Sequence, residues 1–319
     1  MAQASGKKSS SRPTPKGATR PNSKSPARSV SKGRPAGLFT WIAVGLVVLV
    51  IVAIVVIKVV NTSPKSNVTG HFDPTSSLIV GELSGIPMSS FNTVGITSSS
   101  IAVTAPNKHK GLAVLKWADS TGVKRPSVFY FGSEYCPFCA AQRWPTIIAL
   151  MRFGTFTNLG NTASGLSDVY PGTPTFTFVK TKYTSQYINF FSVEQLSNVP
   201  LPNGQVGYEP LQNPTKIESA NIAAYDNSTF APGTSSGAIP YITFGDQFFV
   251  SGASYSPSAL ANSTRDSIAA VLSDPTNPLT QGIITSANLQ TAAICAMTHQ
   301  MPSNVCTSAG VKAAAKIYK

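Results

Sequence analysis

Two cysteines separated by two residues, Cys136 and Cys139, constrain this sequence more than any other feature because of the segments on either side of them. The preceding run, Ser127–Phe131, is β-branched and aromatic and predicts a buried strand, whereas the following residues, 140–151, predict a helix. The first sulfur would then stand at a helix N-terminus, where unpaired backbone N–H groups and the helix dipole favour the thiolate. The thiolate is the form that attacks a disulfide, so the motif predicts thiol–disulfide chemistry.

The basic charge of the chain is concentrated at its N-terminus. The 319 residues include 25 Lys and Arg against 12 Asp and Glu, a net charge of +13. Residues 1–37 hold nine of these basic residues and no acidic one, whereas the chain from Asn61 onward carries 15 basic and 12 acidic residues, a net of +3. Ser, Pro and Gly predict that residues 1–37 form a disordered tail. The tail has no aromatic residues between its basic ones, so we do not expect nucleic-acid binding.

An uncharged apolar run from Leu38 through Ile57 predicts a transmembrane helix, which we place at residues 38–60. A cleaved signal peptide is the alternative, but its apolar core is shorter and a small-residue cleavage site follows it. The residues Val59–Pro64 offer no such site. The positive-inside rule places residues 1–37 in the cytoplasm and the rest of the chain outside. We therefore expect a single-pass protein of the cell membrane, anchored in the lipid bilayer, with an extracytoplasmic domain.

The part of the chain beyond this helix divides into a short leading region and a large α/β domain. Residues 61–105 predict a stalk followed by two or three short strands between Leu78 and Val103. The main domain is placed at residues 106–319, with a hairpin at 237–252 and helices after residue 257. Residues 195–236 are rich in Pro, Gly and Asn and predict an enlarged central insertion that carries a short helix near Ile217–Tyr225.

The other two cysteines, Cys295 and Cys306, flank Pro302 and predict a structural disulfide, since all four cysteines follow the predicted membrane span. A second redox pair that relays electrons to Cys136 and Cys139 is the alternative. A zinc site would need two more ligands at suitable spacing, and no Met or His stands beside the first pair to support copper or haem handling. We therefore expect no metal and no cofactor.

Several features together resemble the thioredoxin fold over about residues 110–275. They are the strand, the Cys-x-x-Cys pair, a helix with Pro145 inside it, and Ile239-Pro240 at the start of a later hairpin. The resemblance implies that Pro240 is cis and lies against the cysteine pair, where Ile239 and Pro240 would contact a substrate. Many members of that family carry a buried acidic residue where this chain has Tyr130, so the proton-transfer group is left unassigned.

A narrower resemblance is to the domain-of-unknown-function family 929, a family of archaeal and actinobacterial proteins related to thioredoxins. It is carried by the segments Phe129–Pro145, Arg152–Phe156, Thr173–Phe176, Tyr187–Ile188 and Ser192–Glu194. This resemblance implies the same fold and brings no established activity.

These observations predict a membrane-anchored thiol–disulfide oxidoreductase that acts on the thiols and disulfides of exported proteins and exchanges electrons with a membrane redox partner. Cys136, expected at the exposed end of the helix, would attack, and Cys139 would resolve the mixed disulfide. The alternative is a non-enzymatic surface or assembly protein in which the two cysteines form a static disulfide. The direction of electron flow depends on the reduction potential and is left open.

Overall fold

The cysteine motif follows the longest strand among the described residues, which lies inside a mixed sheet. The structure is a computed structural model that describes residues 72–96 and 100–318. Within these residues the strands are β1 (Asp73–Pro74), β2 (Asn107–Lys108), β3 (Lys116–Ala118), β4 (Lys124–Gly132), β5 (Gly154–Thr157), β6 (Gly160–Ala163), β7 (Pro174–Thr177), β8 (Lys182–Ser185), β9 (Asn189–Glu194), β10 (Leu196–Pro200), β11 (Tyr208–Pro210), β12 (Tyr241–Phe244) and β13 (Phe248–Ser251).

The helices of the described residues are α1 (Ser77–Ser84), α2 (Met88–Val94), α3 (Pro137–Met151), α4 (Lys216–Tyr225), α5 (Arg265–Val271), α6 (Pro278–Met297), α7 (Ser303–Cys306) and α8 (Ala309–Ala315). Short 3-10 turns occupy Pro202–Gly204, Pro257–Leu260 and Lys316–Tyr318. The mixture of sheets and helices is the α/β class that the sequence predicts.

Strand β4 pairs on one side with β9 in parallel and on the other with β12 in antiparallel orientation. Strands β13 and β2 continue the sheet beyond β12, while β3 pairs with the first residues of β4. From Ser127 onward β4 is buried on both faces, as its continuous apolar run predicts. The predicted hairpin at 237–252 is confirmed as β12 and β13, which turn through Gly245 and Asp246, both at positive φ.

Alternate residues of β4 enter two separate apolar clusters, because side chains along a strand point to opposite faces. Val128 and Tyr130 belong to the larger cluster, together with Trp144 of α3. Phe129 and Phe131 belong to a smaller cluster on the other face. The motif at the end of β4 therefore follows a strand that is held by packing on both sides.

Three small sheets lie outside the central one. They are β1–β6–β7, β5–β8 and β10–β11, all antiparallel. The last of these and α4 lie inside the predicted insertion, and α4 confirms the short helix expected near Ile217–Tyr225. Thr215 and Glu218 form a capping box that defines the start of α4.

Residues 257–318 are helical apart from the turns between the helices, as the sequence predicts for the chain after residue 257. Helix α6 packs against α3 and α8, and 16 of its 20 residues are buried. A disulfide joins Cys295 in α6 to Cys306 in α7, the two cysteines for which the sequence predicts a structural disulfide.

The prediction of short strands between Leu78 and Val103 is wrong, because residues 77–84 and 88–94 form α1 and α2. The consecutive apolar residues Leu78-Ile79-Val80 resemble a strand, but the buried positions in this helix are Ile79 and Leu83, four residues apart. The Ser76 hydroxyl also accepts a hydrogen bond from the Ile79 N–H at 3.3 Å and caps the helix.

The predicted tail at 1–37, the predicted transmembrane helix at 38–60 and most of the predicted stalk lie outside the described residues. None of the helices within 72–96 and 100–318 is long and apolar enough to cross a membrane.

Candidate functional site

The site begins where α3 starts. Cys136 is the N-cap of this helix, with extended backbone angles, and Pro137 occupies the first helical turn. Proline suits this position because it has no N–H to leave unpaired and its φ is already helical. The Cys136 Sγ accepts a hydrogen bond from the backbone N–H of Cys139 at 3.3 Å, so the sulfur takes the place of the usual capping oxygen.

Both sulfurs of the motif are free thiols. Cys139 is fully buried, and Cys136 keeps only 6% of its surface exposed. The sequence predicts an exposed Cys136, and this is wrong: Cys136 lies against Ile239, and its neighbours Tyr135 and Phe138 contact Tyr208 and Tyr170. The small opening at Cys136 makes it the sulfur that outside reagents reach first.

The Ile239–Pro240 peptide bond is cis and lies beside the motif. The Cys136 thiol points to the Ile239 carbonyl oxygen, with 3.9 Å between sulfur and oxygen. The structure thus brings together Cys136, Cys139, Ile239 and Pro240, although 99 residues separate the two pairs in the sequence. Cys295 and Cys306 are not part of this group and are bonded to each other in the C-terminal helices.

The two thiols differ in acidity. Hydrogen bonds from the Cys139 side chain and backbone, together with the charge of Arg143, lower the pKa of Cys136, although its burial acts in the opposite direction. Burial raises the pKa of Cys139, and its hydrogen bond to Cys136 and the negative charge there raise it further. When one proton leaves the pair, the thiolate therefore forms on Cys136, the sulfur with access to the outside.

A buried ion pair lies beneath the motif. Arg143 of α3 donates from Nε and Nη2 to the two carboxylate oxygens of Glu194, at 2.9 and 2.6 Å, and both side chains are fully buried. The same Nη2 donates to the Ser133 carbonyl at 2.8 Å, in the loop that leads to Cys136. Glu194 ends β9, opposite Gly132 at the end of β4. Removal of either partner would leave an uncompensated charge in the interior, which costs several kcal/mol.

Sequence reasoning misses this pair, although one signal for Arg143 is present. Arg143 stands four residues after Cys139 in a predicted helix, which places the two side chains on one face. The position of Glu194 follows from the parallel pairing of β4 and β9, which the sequence does not reveal.

Three polar atoms beside the motif have no hydrogen-bond partner in the described part of the chain. They are the Tyr130 hydroxyl, the Ser133 hydroxyl and Nη1 of Arg143, all buried. The Arg143 guanidinium lies over the Tyr130 ring, with 5.6 Å from Cζ to the ring centre. Burial raises the pKa of Tyr130, so this phenol is neutral at physiological pH.

A comparison with protein families matches residues 115–296, more than half of the chain, to the domain of unknown function family 929. The chain belongs to this family. The matched region of this family 929 protein contains Cys136, Cys139, the Arg143–Glu194 pair and Ile239-Pro240. Neither the curated proteins nor the solved structures gave a match.

The described part of this family 929 chain has no group of three or more His, Cys, Asp or Glu side chains placed to hold a metal ion. The groups gathered at the start of α3 are two thiols, the Ile239 carbonyl that precedes the cis-proline, and a buried ion pair. Such an arrangement can stabilise a thiolate at Cys136 and bring a second sulfur within reach of it.

Proposed function

We propose that this protein is a thiol–disulfide oxidoreductase with a thioredoxin-like domain, in which Cys136 is the attacking or attacked sulfur and Cys139 is the resolving one. The observation that carries the proposal is the capping of α3 by the Cys136 sulfur, which accepts the Cys139 N–H at 3.3 Å. A sulfur held at a helix N-terminus by backbone donors is stabilised as the thiolate.

The thioredoxin-like assignment is supported by the order and pairing of the elements around the motif. Strand β4 runs into α3, pairs in parallel with β9 and in antiparallel orientation with β12, and β12 forms a hairpin with β13. The cis bond of Ile239–Pro240 precedes β12 and lies next to Cys136. The strand before the motif, the helix after it and the cis-proline at the start of the hairpin belong to the sequence resemblance to thioredoxins over residues 110–275, and the pairing of β4 with β9 and β12 adds to that support.

The reaction can be written for the oxidised pair, in which Cys136 and Cys139 are bonded. A client thiolate attacks the Cys136 sulfur, the Cys136–Cys139 bond breaks, and its electron pair stays on Cys139, which takes up a proton. A second client thiolate then attacks the client sulfur of the mixed disulfide and releases Cys136 as a thiolate. The client dithiol is oxidised to a disulfide and the protein disulfide is reduced to a dithiol. The reverse sequence reduces a client disulfide.

The acidity difference between the two sulfurs suits these steps. A lowered pKa makes Cys136 the better leaving group when the mixed disulfide is attacked, and its access to the outside makes it the better target. Arg143 supports the thiolate from inside the protein, and its ion pair with Glu194 keeps that charge in place.

We further propose that the reaction takes place outside the cell, with residues 38–60 as a membrane anchor and residues 1–37 in the cytoplasm. The support comes from the sequence: an uncharged apolar run after a basic tail, with all four cysteines beyond it. The clients would then be exported proteins, and a membrane redox partner would restore the working state of the pair.

The alternative, a non-catalytic protein with a static disulfide, makes the opposite prediction in a trapping experiment. In the Cys139→Ser variant of the full chain, Cys136 should accumulate mixed disulfides with clients in the native membrane, and Cys136→Ser should form none. A matched control is Cys295→Ala with Cys306→Ala, which removes the other pair and should leave trapping by Cys139→Ser unchanged. Absence of adducts, together with absence of exchange between the wild-type pair and glutathione, would refute the oxidoreductase proposal.

A further inference from the structure

Two aromatic pairs lie on either side of the reacting sulfur. Tyr135, which directly precedes Cys136, stacks on Tyr208, with the ring centres 4.5 Å apart and the ring planes 9° from parallel. Phe138, between the two cysteines, meets the Tyr170 ring edge-on at 6.0 Å. The residues next to Cys136 therefore contact two other parts of the chain, the loop that follows β6 and the β10–β11 hairpin.

We call the surface made by residues 133–138, 164–173 and 195–212 the site rim. These segments hold 34 residues and five of the eleven large apolar side chains that the described part of the chain exposes: Phe138, Leu166, Val169, Val206 and Leu211. Leu166 is 56% exposed and Val169 is 67% exposed. Single exposed apolar residues are common, but such a concentration around a reactive sulfur marks an interaction surface.

The charge of the site rim differs from that of the rest of the domain. Its charged residues are Asp168, Glu209 and the buried Glu134, and it contains no Lys, Arg or His. From Asn61 onward the chain as a whole is net positive. Asp168 lies near enough to Tyr135 and Tyr208 that its charge adds to the effect of burial in raising the pKa of both phenols. An acidic patch of this kind attracts a basic partner.

We propose that the site rim docks an extended segment of a client polypeptide that carries an apolar side chain and a Lys or Arg next to the reacting cysteine. This inference rests on the proposed oxidoreductase function and specifies its substrate class. The apolar side chain would pack on Leu166 and Val169, and the basic one would approach Asp168. Charge complementarity selects such a segment over an acidic or wholly polar one.

The test uses four matched eight-residue peptides, each with one cysteine. One residue beside the cysteine is Leu or Ser, and the residue on its other side is Lys or Glu. Each peptide cysteine is first joined to 2-nitro-5-thiobenzoate. The reduced full-length Cys139→Ser variant in detergent attacks the peptide sulfur, forms the Cys136–peptide disulfide and releases the coloured thiolate, so each turnover is counted once. Each rate is divided by the rate of the same peptide with glutathione, which removes differences in intrinsic reactivity.

We expect the Leu/Lys peptide to react about tenfold faster than the Ser/Glu peptide, with about fivefold from the apolar residue and the rest from charge. The charge preference should shrink in high salt, because Asp168 and Glu209 are near solvent. In a Leu166→Ser, Val169→Ser variant the preference for Leu should disappear, and in Asp168→Lys the preference for Lys should reverse. Leu78→Ser and Glu82→Lys on α1, outside the site rim, serve as controls and should leave both preferences unchanged.

The outcomes separate the two proposals. A small disulfide, 5,5′-dithiobis(2-nitrobenzoate), is tested alongside the peptides. If Cys136 reacts with this reagent but reacts with all four peptides at the same relative rate, the docking proposal fails and the oxidoreductase proposal stands. If Cys136 reacts neither with the reagent nor with any peptide, the oxidoreductase proposal fails. If the protein dimerises in a concentration-dependent manner and Val169→Ser makes it monomeric without changing peptide selectivity, a second copy occupies the surface, and the inference is overturned.

Discussion

Replacement of Glu194 by Gln should increase the fraction of Cys136 that is thiolate about tenfold, at pH values below the pKa of Cys136. Glu194 neutralises Arg143 through two hydrogen bonds, and Gln keeps the size and one acceptor oxygen but removes the negative charge. Arg143 stays positive, because guanidinium groups do not lose their proton in proteins. The charge of Arg143 already lowers the pKa of Cys136, so loss of its counter-ion should lower that pKa further.

The magnitude follows from the hydrogen bonds of Arg143. Its Nη2 donates to the Ser133 carbonyl at 2.8 Å, and the same carbonyl accepts a hydrogen bond from the Cys136 N–H at 3.4 Å, so the guanidinium lies no farther than about 10 Å from the Cys136 sulfur. The Glu194 carboxylate lies next to the guanidinium, at a similar distance of about 10 Å from the sulfur. At an effective dielectric constant near 20, a unit charge at this distance contributes about 1 to 2 kcal/mol, which is about a factor of ten in the thiolate equilibrium. Because the thiolate stabilises the reduced form, the reduction potential should become less negative by about 30 mV at pH values above the pKa of Cys136, where the thiolate predominates.

The assay is the pH dependence of the ultraviolet absorbance of the thiolate and of the rate of alkylation by iodoacetamide, in the full chain. Removal of one partner of a buried pair destabilises a protein by about 3 to 5 kcal/mol, so folding of the variant is checked by circular dichroism. The matched control is the double variant Arg143→Met, Glu194→Leu, which removes both charges and leaves none unpaired. It should change the thiolate fraction by less than about threefold, since opposite charges at similar distances nearly cancel.

A folded Glu194→Gln variant with an unchanged or smaller thiolate fraction would refute the reasoning, because it would show that the interior charge does not reach the sulfur. A double variant that changes the thiolate fraction as much as the single one would show that packing around α3, rather than charge, is responsible.

Three further changes test other parts of the structure. Tyr130→Phe removes a buried hydroxyl that has no partner among the described residues, so the free energy of unfolding in urea should stay within about 1 kcal/mol of wild type, and a larger loss would reveal a missing contact. Replacement of Cys295 and Cys306 by Ala should lower that free energy by about 3 kcal/mol and leave thiol exchange intact, whereas loss of exchange would make this pair a relay. Burial raises the pKa of Asp226 to about 7, so its neutral form stabilises the fold fully below about pH 4, and this stability declines as the pH rises through 7. Asp226→Asn should therefore be more stable than wild type at pH 8, by on the order of 2 kcal/mol in urea unfolding, and equal stability at pH 8 would contradict the burial of an unpaired carboxylate.

The sequence predicts the elements around the motif correctly because local signals define them. The residues Val128–Phe131 before the motif are all large and hydrophobic, as a strand buried on both faces requires, and Pro137 at the first turn fits the start of a helix. The hairpin around Asp246 is also local, since Gly245-Asp246 supplies the two residues at positive φ that its turn needs.

The same reasoning fails where tertiary contacts decide the outcome. Residues 77–84 form a helix because the face with Ile79 and Leu83 packs into the core, and the strand-like sequence of three apolar residues does not reveal that packing. The Arg143–Glu194 pair depends on strands separated by more than 50 residues, and no periodicity in either strand reports their register. The burial of Cys136 is likewise a property of loops from elsewhere in the chain.

The end of the β4–β9 pair links the electrostatics of the site to its outer surface. Parallel register places Glu194 opposite Gly132, and directly beyond it the Gln195 N–H donates to the Gly132 carbonyl at 2.8 Å. The next hydrogen bond runs the other way, from the Glu134 N–H to the Leu196 carbonyl at 2.9 Å. It joins the loop before Cys136 to the 195–212 segment of the site rim. The charge beneath Cys136 and the surface beside it are therefore held by consecutive bonds of one ladder. The motif alone supplies the backbone donors that favour a thiolate, but the extent of that preference and the access of a client both depend on the register of these two strands.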